Sequence, residues 1–194
     1  MDNPKYLHRI LQGLPVDHLV ETLELHPHLW DQNKLRTTFE NSPHAQVRDI
    51  WLRFNETPEP GQEATLLDKH ESIDYPAYEQ MPAFRSTVMN IFAYVGGERL
   101  GRVLVVKLPP GASITPHIDS GSHAVYYERF HLCLQAGPGC HFRVGEDWVE
   151  MKAGELWWMQ NQIEHEVTNE SDVDRIHLIV DAKCRNWVEA VYGA

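Results

Sequence analysis

Apolar residues recur near the helical period early in the chain and at every second position in its later half. Tyr6, Leu7, Ile10 and Leu11, then Leu19, Val20 and Leu23, fall close to a spacing of 3.6, which predicts helices over 4–12 and 15–26. Pro15 and Asp17 mark the start of the second. Trp30-Asp31-Gln32-Asn33 reads as a turn and Ser42-Pro43 as a break. Residues 47–54 read as a strand. The stretch 55–63, with Glu56-Thr57-Pro58-Glu59-Pro60-Gly61, is a loop, suited either to substrate contact or to an idle surface insertion. The best helix spans 82–95. Pro82 fits its first turn, Phe84, Val88, Ile91 and Tyr94 share a face, and Gly96-Gly97 ends it.

From residue 100 the period becomes two. Strands are predicted over 100–108, 113–119, 125–136, 141–144, 148–151, 156–159, 166–169 and 173–182, with turns at Pro109-Pro110-Gly111, 120–123, Gly137-Pro138-Gly139 and Gly145-Glu146-Asp147. About eight short strands at regular spacing predict a mainly β, jelly-roll type of barrel. The expected organisation is one domain: a helical or mixed part over 1–99 packed on a β core over 100–183, with a C-terminal tail over 184–194.

Composition narrows the function classes. At 194 residues, with 42% hydrophobic and 23% charged content, the chain has the make-up of a soluble globular domain. Its 28 acidic against 17 basic residues give a net charge of −11, which argues against nucleic acid or an anionic membrane as partner. No apolar run reaches membrane-spanning length and no secretory leader is visible, so a cytoplasmic location is expected. Cys133, Cys140 and Cys184 are odd in number and form no Cys-x-x-Cys, in keeping with a reducing compartment.

Candidate chemistry centres on His117-Ile118-Asp119. Residues i and i+2 of a strand point the same way, so both side chains can reach one ion, and a second His on a neighbouring strand can complete the set. Two His and one carboxylate with open positions is the non-haem Fe(II) oxygenase pattern, although Zn(II) also takes such ligands. Among twelve His, one His-x-Asp arises readily by chance and alone reads as a turn or surface pair. The context favours a site. Arg129, His131, Cys133 and Gln135 share one face of their strand, opposite Phe130, Leu132 and Leu134. Arg175, His177 and Ile179 likewise oppose Ile176, Leu178 and Val180. A polar inner face suits a barrel that encloses a polar ligand and packs helices outside. His177 reads as a hydrogen-bonded core residue, and His123 and His141, beside turns, as exposed. His26-Pro27-His28 reads as a helix exit. Trp157 and Trp158 put one ring on each face, and Asp147, Glu150, Glu164 and Glu166 read as solvated.

His117-x-Asp119, Arg129-x-His131-Leu132, Gly154-Glu155-Leu156-Trp157, His165-Glu166-Val167 and Arg175 together resemble the aspartyl/asparaginyl β-hydroxylase family. The resemblance covers about 100–182. It implies a double-stranded β-helix (cupin-like) core and a 2-oxoglutarate, Fe(II)-dependent dioxygenase using O2. Carried over, His117, Asp119 and His165 would be the catalytic metal ligands and Arg175 would hold the far carboxylate of 2-oxoglutarate. Arg129 and His131 would lie beside the cosubstrate and metal. Animal members lack the carboxylate ligand that Asp119 supplies here, and they carry long N-terminal repeats and a membrane anchor not seen in this sequence.

The resulting expectation is a hydroxylase acting on an amino acid, free or within a peptide, at an aspartyl, asparaginyl or similar side chain. Arg36, Arg48, Arg53 and Arg102 are the candidates for a substrate carboxylate. Two alternatives stay open: the same chemistry on a free amino acid such as proline or on a lipid acyl chain, and a non-catalytic cupin-like module binding a metal or small acid. Neither the oligomeric state nor the position hydroxylated follows from the sequence.

Overall fold

The structure, a computed structural model, describes residues 5–57, 70–185 and 187. Two antiparallel sheets face each other. The first strands and helices are β1 (Leu7–Leu11), α1 (Asp17–Leu25), α2 (Leu35–Thr38), β2 (Arg48–Phe54), β3 (Ile73–Asp74), α3 (Pro76–Gln80) and α4 (Pro82–Tyr94). The remainder is β4 (Gly97–Leu108), β5 (Ser113–His117), α5 (Gly121–Tyr126), β6 (Glu128–Gln135), β7 (Cys140–Val144), β8 (Asp147–Val149), β9 (Leu156–Met159), β10 (His165–Asn169) and β11 (Arg175–Cys184). The larger sheet runs β1-β9-β6-β11-β4-β2-β3, and the smaller runs β5-β10-β7-β8. This is the mainly β arrangement that the alternating pattern predicts, in the double-stranded β-helix form that the family resemblance implies.

Alternation along the central strands divides the core in two. Phe130, Leu132, Leu134, Leu178 and Val180 point outward, where Leu19, Leu23, Phe84, Val88 and Ile91 from α1 and α4 cover them. Each large apolar side chain so buried stabilises the fold by about 1.5–3 kcal/mol. Leu104, Val106, Cys133, Phe142, Val144 and Ile179 form a second cluster between the sheets. Trp157 joins the inner cluster and Trp158 the outer one, one ring on each face as its sequence position requires. The helix predicted over 82–95 is α4, and Gly96, at φ 66°, turns the chain out of it.

Three local expectations are corrected. Residues 7–11 are a strand, not a helix: Leu7, His8 and Arg9 pair with Met159, Trp158 and Trp157, and this edge pairing outweighs a short helical pattern. Residues 121–126, expected as turn and strand, form α5, and β6 starts only at Glu128. The strand expected to carry both His117 and Asp119 ends at His117. Of the loop predicted over 55–63, positions 58–63 lie outside the described residues. Among the described residues no helix is long and apolar enough to cross a membrane.

Candidate active site

Strand pairing assembles the site. β5 and β10 are antiparallel neighbours in the small sheet, and His165 stands directly opposite His117. Their ring centroids are 4.2 Å apart. The Nδ1 of His117 is 2.8 Å from the Thr115 carbonyl and that of His165 is 2.9 Å from the Ile163 carbonyl. A hydrogen bond at Nδ1 leaves Nε2 as the lone-pair nitrogen, which is the tautomer a metal ligand needs. Each Nε2 lies 3.9 Å from an oxygen of Asp119. Among the described residues the buried Nε2 of His117 has no hydrogen-bond partner. Ligand atoms of His117, Asp119 and His165 all fall within 4.8 Å of one another.

Just past the strand end, the Asp119 amide donates to the Asn161 carbonyl at 3.2 Å. Its carboxylate accepts from the Nη1 of Arg129. Burial alone would raise the Asp119 carboxyl, but the Arg129 charge, with His165 and His117, holds it below its usual value. Burial pushes His165 down to about 4, so the imidazole is neutral near pH 7. The donor set fits a divalent ion: two imidazoles and one carboxylate on one side, with space opposite.

That space is a cavity of about 540 Å³. Leu35, Phe39, Phe54, Leu104, Ile118 and Ile179 contribute its apolar wall, and Arg36, His44, Arg102 and Arg129 its polar groups. Of the four arginines considered for a substrate carboxylate, Arg36 and Arg102 therefore line the cavity. Arg36 donates to the buried Asp49 at 2.6 Å, and Arg102 donates from Nε to the Asn55 side-chain carbonyl at 2.8 Å. Arg48 pairs instead with Asp31 at 2.6 Å, and Arg53 with Asp74. His44 was not singled out in the sequence. It sits after the Ser42-Pro43 break, and its ring meets that of His117 edge-on, centroids 4.9 Å apart.

Deeper between the sheets lies a second polar group. Arg175 and His177 are buried on the inner face of β11, and the Nη2 of Arg175 is 3.2 Å from the Nδ1 of His177. His131 on β6 is buried beside them, its ring centroid 5.7 Å from that of His177. Both nitrogens of His131 and the Nε2 of His177 lack hydrogen-bond partners among the described residues. No carboxylate among the described residues pairs with Arg175, and burial lowers its guanidinium to about 10. The Phe142 ring lies between this group and the His117, Asp119 and His165 cluster, 5.5 Å from the Arg175 guanidinium carbon and 6.4 Å from the His165 ring.

Sequence reasoning missed Asp181 and misjudged His123. His123, expected at an exposed turn, is buried on α5, with its Nε2 3.1 Å from Asp181. Asp181 also accepts from the Nε and Nη2 of Arg129 at 2.8 and 2.9 Å. Burial alone would raise the Asp181 carboxyl, but Arg129 and His123 hold it well below the carboxylate range. A signal did exist. Asp181 continues the inward series Arg175, His177 and Ile179 along β11, opposite the apolar Ile176, Leu178 and Val180.

The chain matches the aspartyl/asparaginyl β-hydroxylase family over residues 24–184. It belongs to that family. One curated relative of the family member is an L-proline cis-4-hydroxylase of Rhizobium meliloti (strain 1021), 27% identical over 86 residues. That match spans 44% of this chain and only 31% of the relative's length. Among solved structures, a prolyl-4-hydroxylase of Pseudomonas putida has a TM-score of 0.54 at 19% identity, with 93% of this chain and 94% of that one covered. A 2OG-Fe(II) oxygenase family oxidoreductase of Burkholderia pseudomallei gives 0.52 at 12% identity, covering 71% and 66%. At these identities the likeness is one of fold.

Proposed function

We propose that the protein is an Fe(II)/2-oxoglutarate-dependent dioxygenase that hydroxylates an amino acid, free or as a side chain within a peptide. The observation that carries the reading is the buried Arg175, without a carboxylate partner among the described residues, lying behind a three-ligand cluster that is open on one side. A guanidinium sealed between two sheets is costly without a counter-anion, and a dicarboxylate cosubstrate would supply one. The planar fork of Arg suits a carboxylate better than Lys does.

In this reading His117, Asp119 and His165 hold the iron. Arg175 receives the far carboxylate of 2-oxoglutarate, with His177 fixing the guanidinium and His131 facing the cosubstrate. Bound iron, with 2-oxoglutarate and O2, supplies the oxidation and releases succinate and CO2. The protein's part is to orient and to exclude water: both imidazoles are locked through Nδ1, and the apolar wall of the cavity keeps the substrate carbon in a dry setting.

The L-proline cis-4-hydroxylase among the relatives favours a specific form of the reading, in which the substrate is a free amino acid such as proline. Fe(II)-loaded protein with ascorbate and 2-oxoglutarate should form succinate, and free amino acids and peptides offered separately should differ in how far they stimulate it. Absence of succinate with every pool, and also without substrate, would defeat the proposal.

A further inference from the structure

We infer that Asp181 is a positioning residue for the metal site, acting through Arg129 on the Asp119 carboxylate. The inference rests on the metal-binding reading above and adds to it a group that touches neither metal nor substrate. Three charged side chains lie in a row: Asp119, Arg129 and Asp181. Arg129 spends Nε and Nη2 on the two oxygens of Asp181 and turns Nη1 to Oδ2 of Asp119. The fork has only one geometry, so the bidentate grip at one end fixes the donor at the other. Held at Oδ2, the Asp119 carboxylate stays aimed between the imidazoles, with Oδ1 3.9 Å from Nε2 of His117 and Oδ2 3.9 Å from Nε2 of His165.

The charge balance points the same way. Arg129 beside a divalent ion would repel it, but buried Asp181 cancels that charge from behind. His123 completes the set by binding Asp181 from α5.

The backbone is shaped for this. Asp181 sits directly across from Arg129 in the β6–β11 pairing. On its other side the β11–β4 register shifts between Val180 and Ala182, and such irregularities re-aim a side chain. At that irregularity Asp181 lies opposite Gly101 and Arg102 of β4, and a Cβ on Gly101 would come within 3.1 Å of the Asp181 Cβ.

The test is a titration of the metal-free full-length protein with Co(II), followed by visible absorption. Asp181→Asn keeps the shape and removes the charge and one acceptor, and should weaken Co(II) binding about 10–100-fold, the usual cost of losing a partner of a ligand. Val180→Ala, on the outer face of the same strand, should lower thermal stability and leave Co(II) affinity at the parent value. Asp181→Asn with parental Co(II) affinity would overturn the inference. Should that variant not fold, His123→Leu, which removes the imidazole partner of Asp181, should bind Co(II) more weakly than Val180→Ala, and equal binding would overturn it. A parent protein that binds no Co(II) would instead remove the metal-site reading on which the inference stands.

Discussion

His117 and His165 face each other across β5 and β10, each ring pinned through Nδ1 to a carbonyl two residues earlier in its own chain segment. The pair is therefore preset for a metal by backbone geometry alone. His165→Ala should cut Fe(II) affinity by more than about 100-fold, beyond the range typical of partners of a ligand. Anaerobic addition of 2-oxoglutarate should give a weak visible band in the parent and none in the variant. A band that persists in His165→Ala would remove this residue from the ligand set.

Arg175 carries a separate prediction because nothing acidic offsets it among the described residues. Arg175→Met should weaken 2-oxoglutarate binding by about 2–5 kcal/mol, the cost of removing one member of a buried charge pair. Metal affinity should stay unchanged. Without cosubstrate the same variant should melt higher than the parent, since an apolar side chain replaces an uncompensated buried cation. Calorimetric titration and thermal scans check both halves, and a lower melting point would mean that Arg175 is already compensated in the free protein.

His177 and His131 make stability depend on pH in one direction. Burial first, and the Arg175 charge second, push both well below the usual imidazole value. In the folded protein they stay neutral, while in the unfolded chain they bind protons as pH falls below about 6.5. Their contribution is whole above that value and is lost as pH drops toward the folded values. Each should cost about 1.4 kcal/mol per pH unit within that window. Urea denaturation at pH 7.5 and 5.5 should show a shallower loss for His177→Gln than for the parent. Equal losses would mean that His177 protonates without penalty in the folded state.

The legible and illegible parts of the sequence divide by range of interaction. Period-two alternation gave away β4, β6, β9 and β11, because one face of each is apolar toward the helices whatever the loops do. The His117, Asp119 and His165 cluster was readable from the motif spacing of a family. β1 was not readable: Tyr6, Leu7, Ile10 and Leu11 suit a helix until Met159 and Trp158 offer an edge to pair with. α5 is six residues long, too short to show a period. His44 reaches His117 only through a loop, which no local pattern encodes. Asp181 lay in plain view at the inward spacing of β11, but its meaning depends on Arg129, fifty-two positions away.

Gly101 connects the fold to the site. A Cβ there would lie 3.0 Å from the Tyr127 ring and 3.1 Å from the Asp181 Cβ, so Gly101→Ala forces one of them to move. Neither is free to do so easily. Tyr127 is buried and its hydroxyl donates to the His70 carbonyl at 2.6 Å, while Asp181 is gripped by Arg129 and His123. Overpacking at such a place costs about 1–3 kcal/mol, to be read as a lower denaturation midpoint. If Asp181 is the side that yields, Co(II) affinity should fall with stability. If the Tyr127 ring yields, stability falls alone. A variant with parental stability would mean that the strand itself relaxes by several tenths of an ångström, and the close approach at Gly101 would then have no part in holding Asp181.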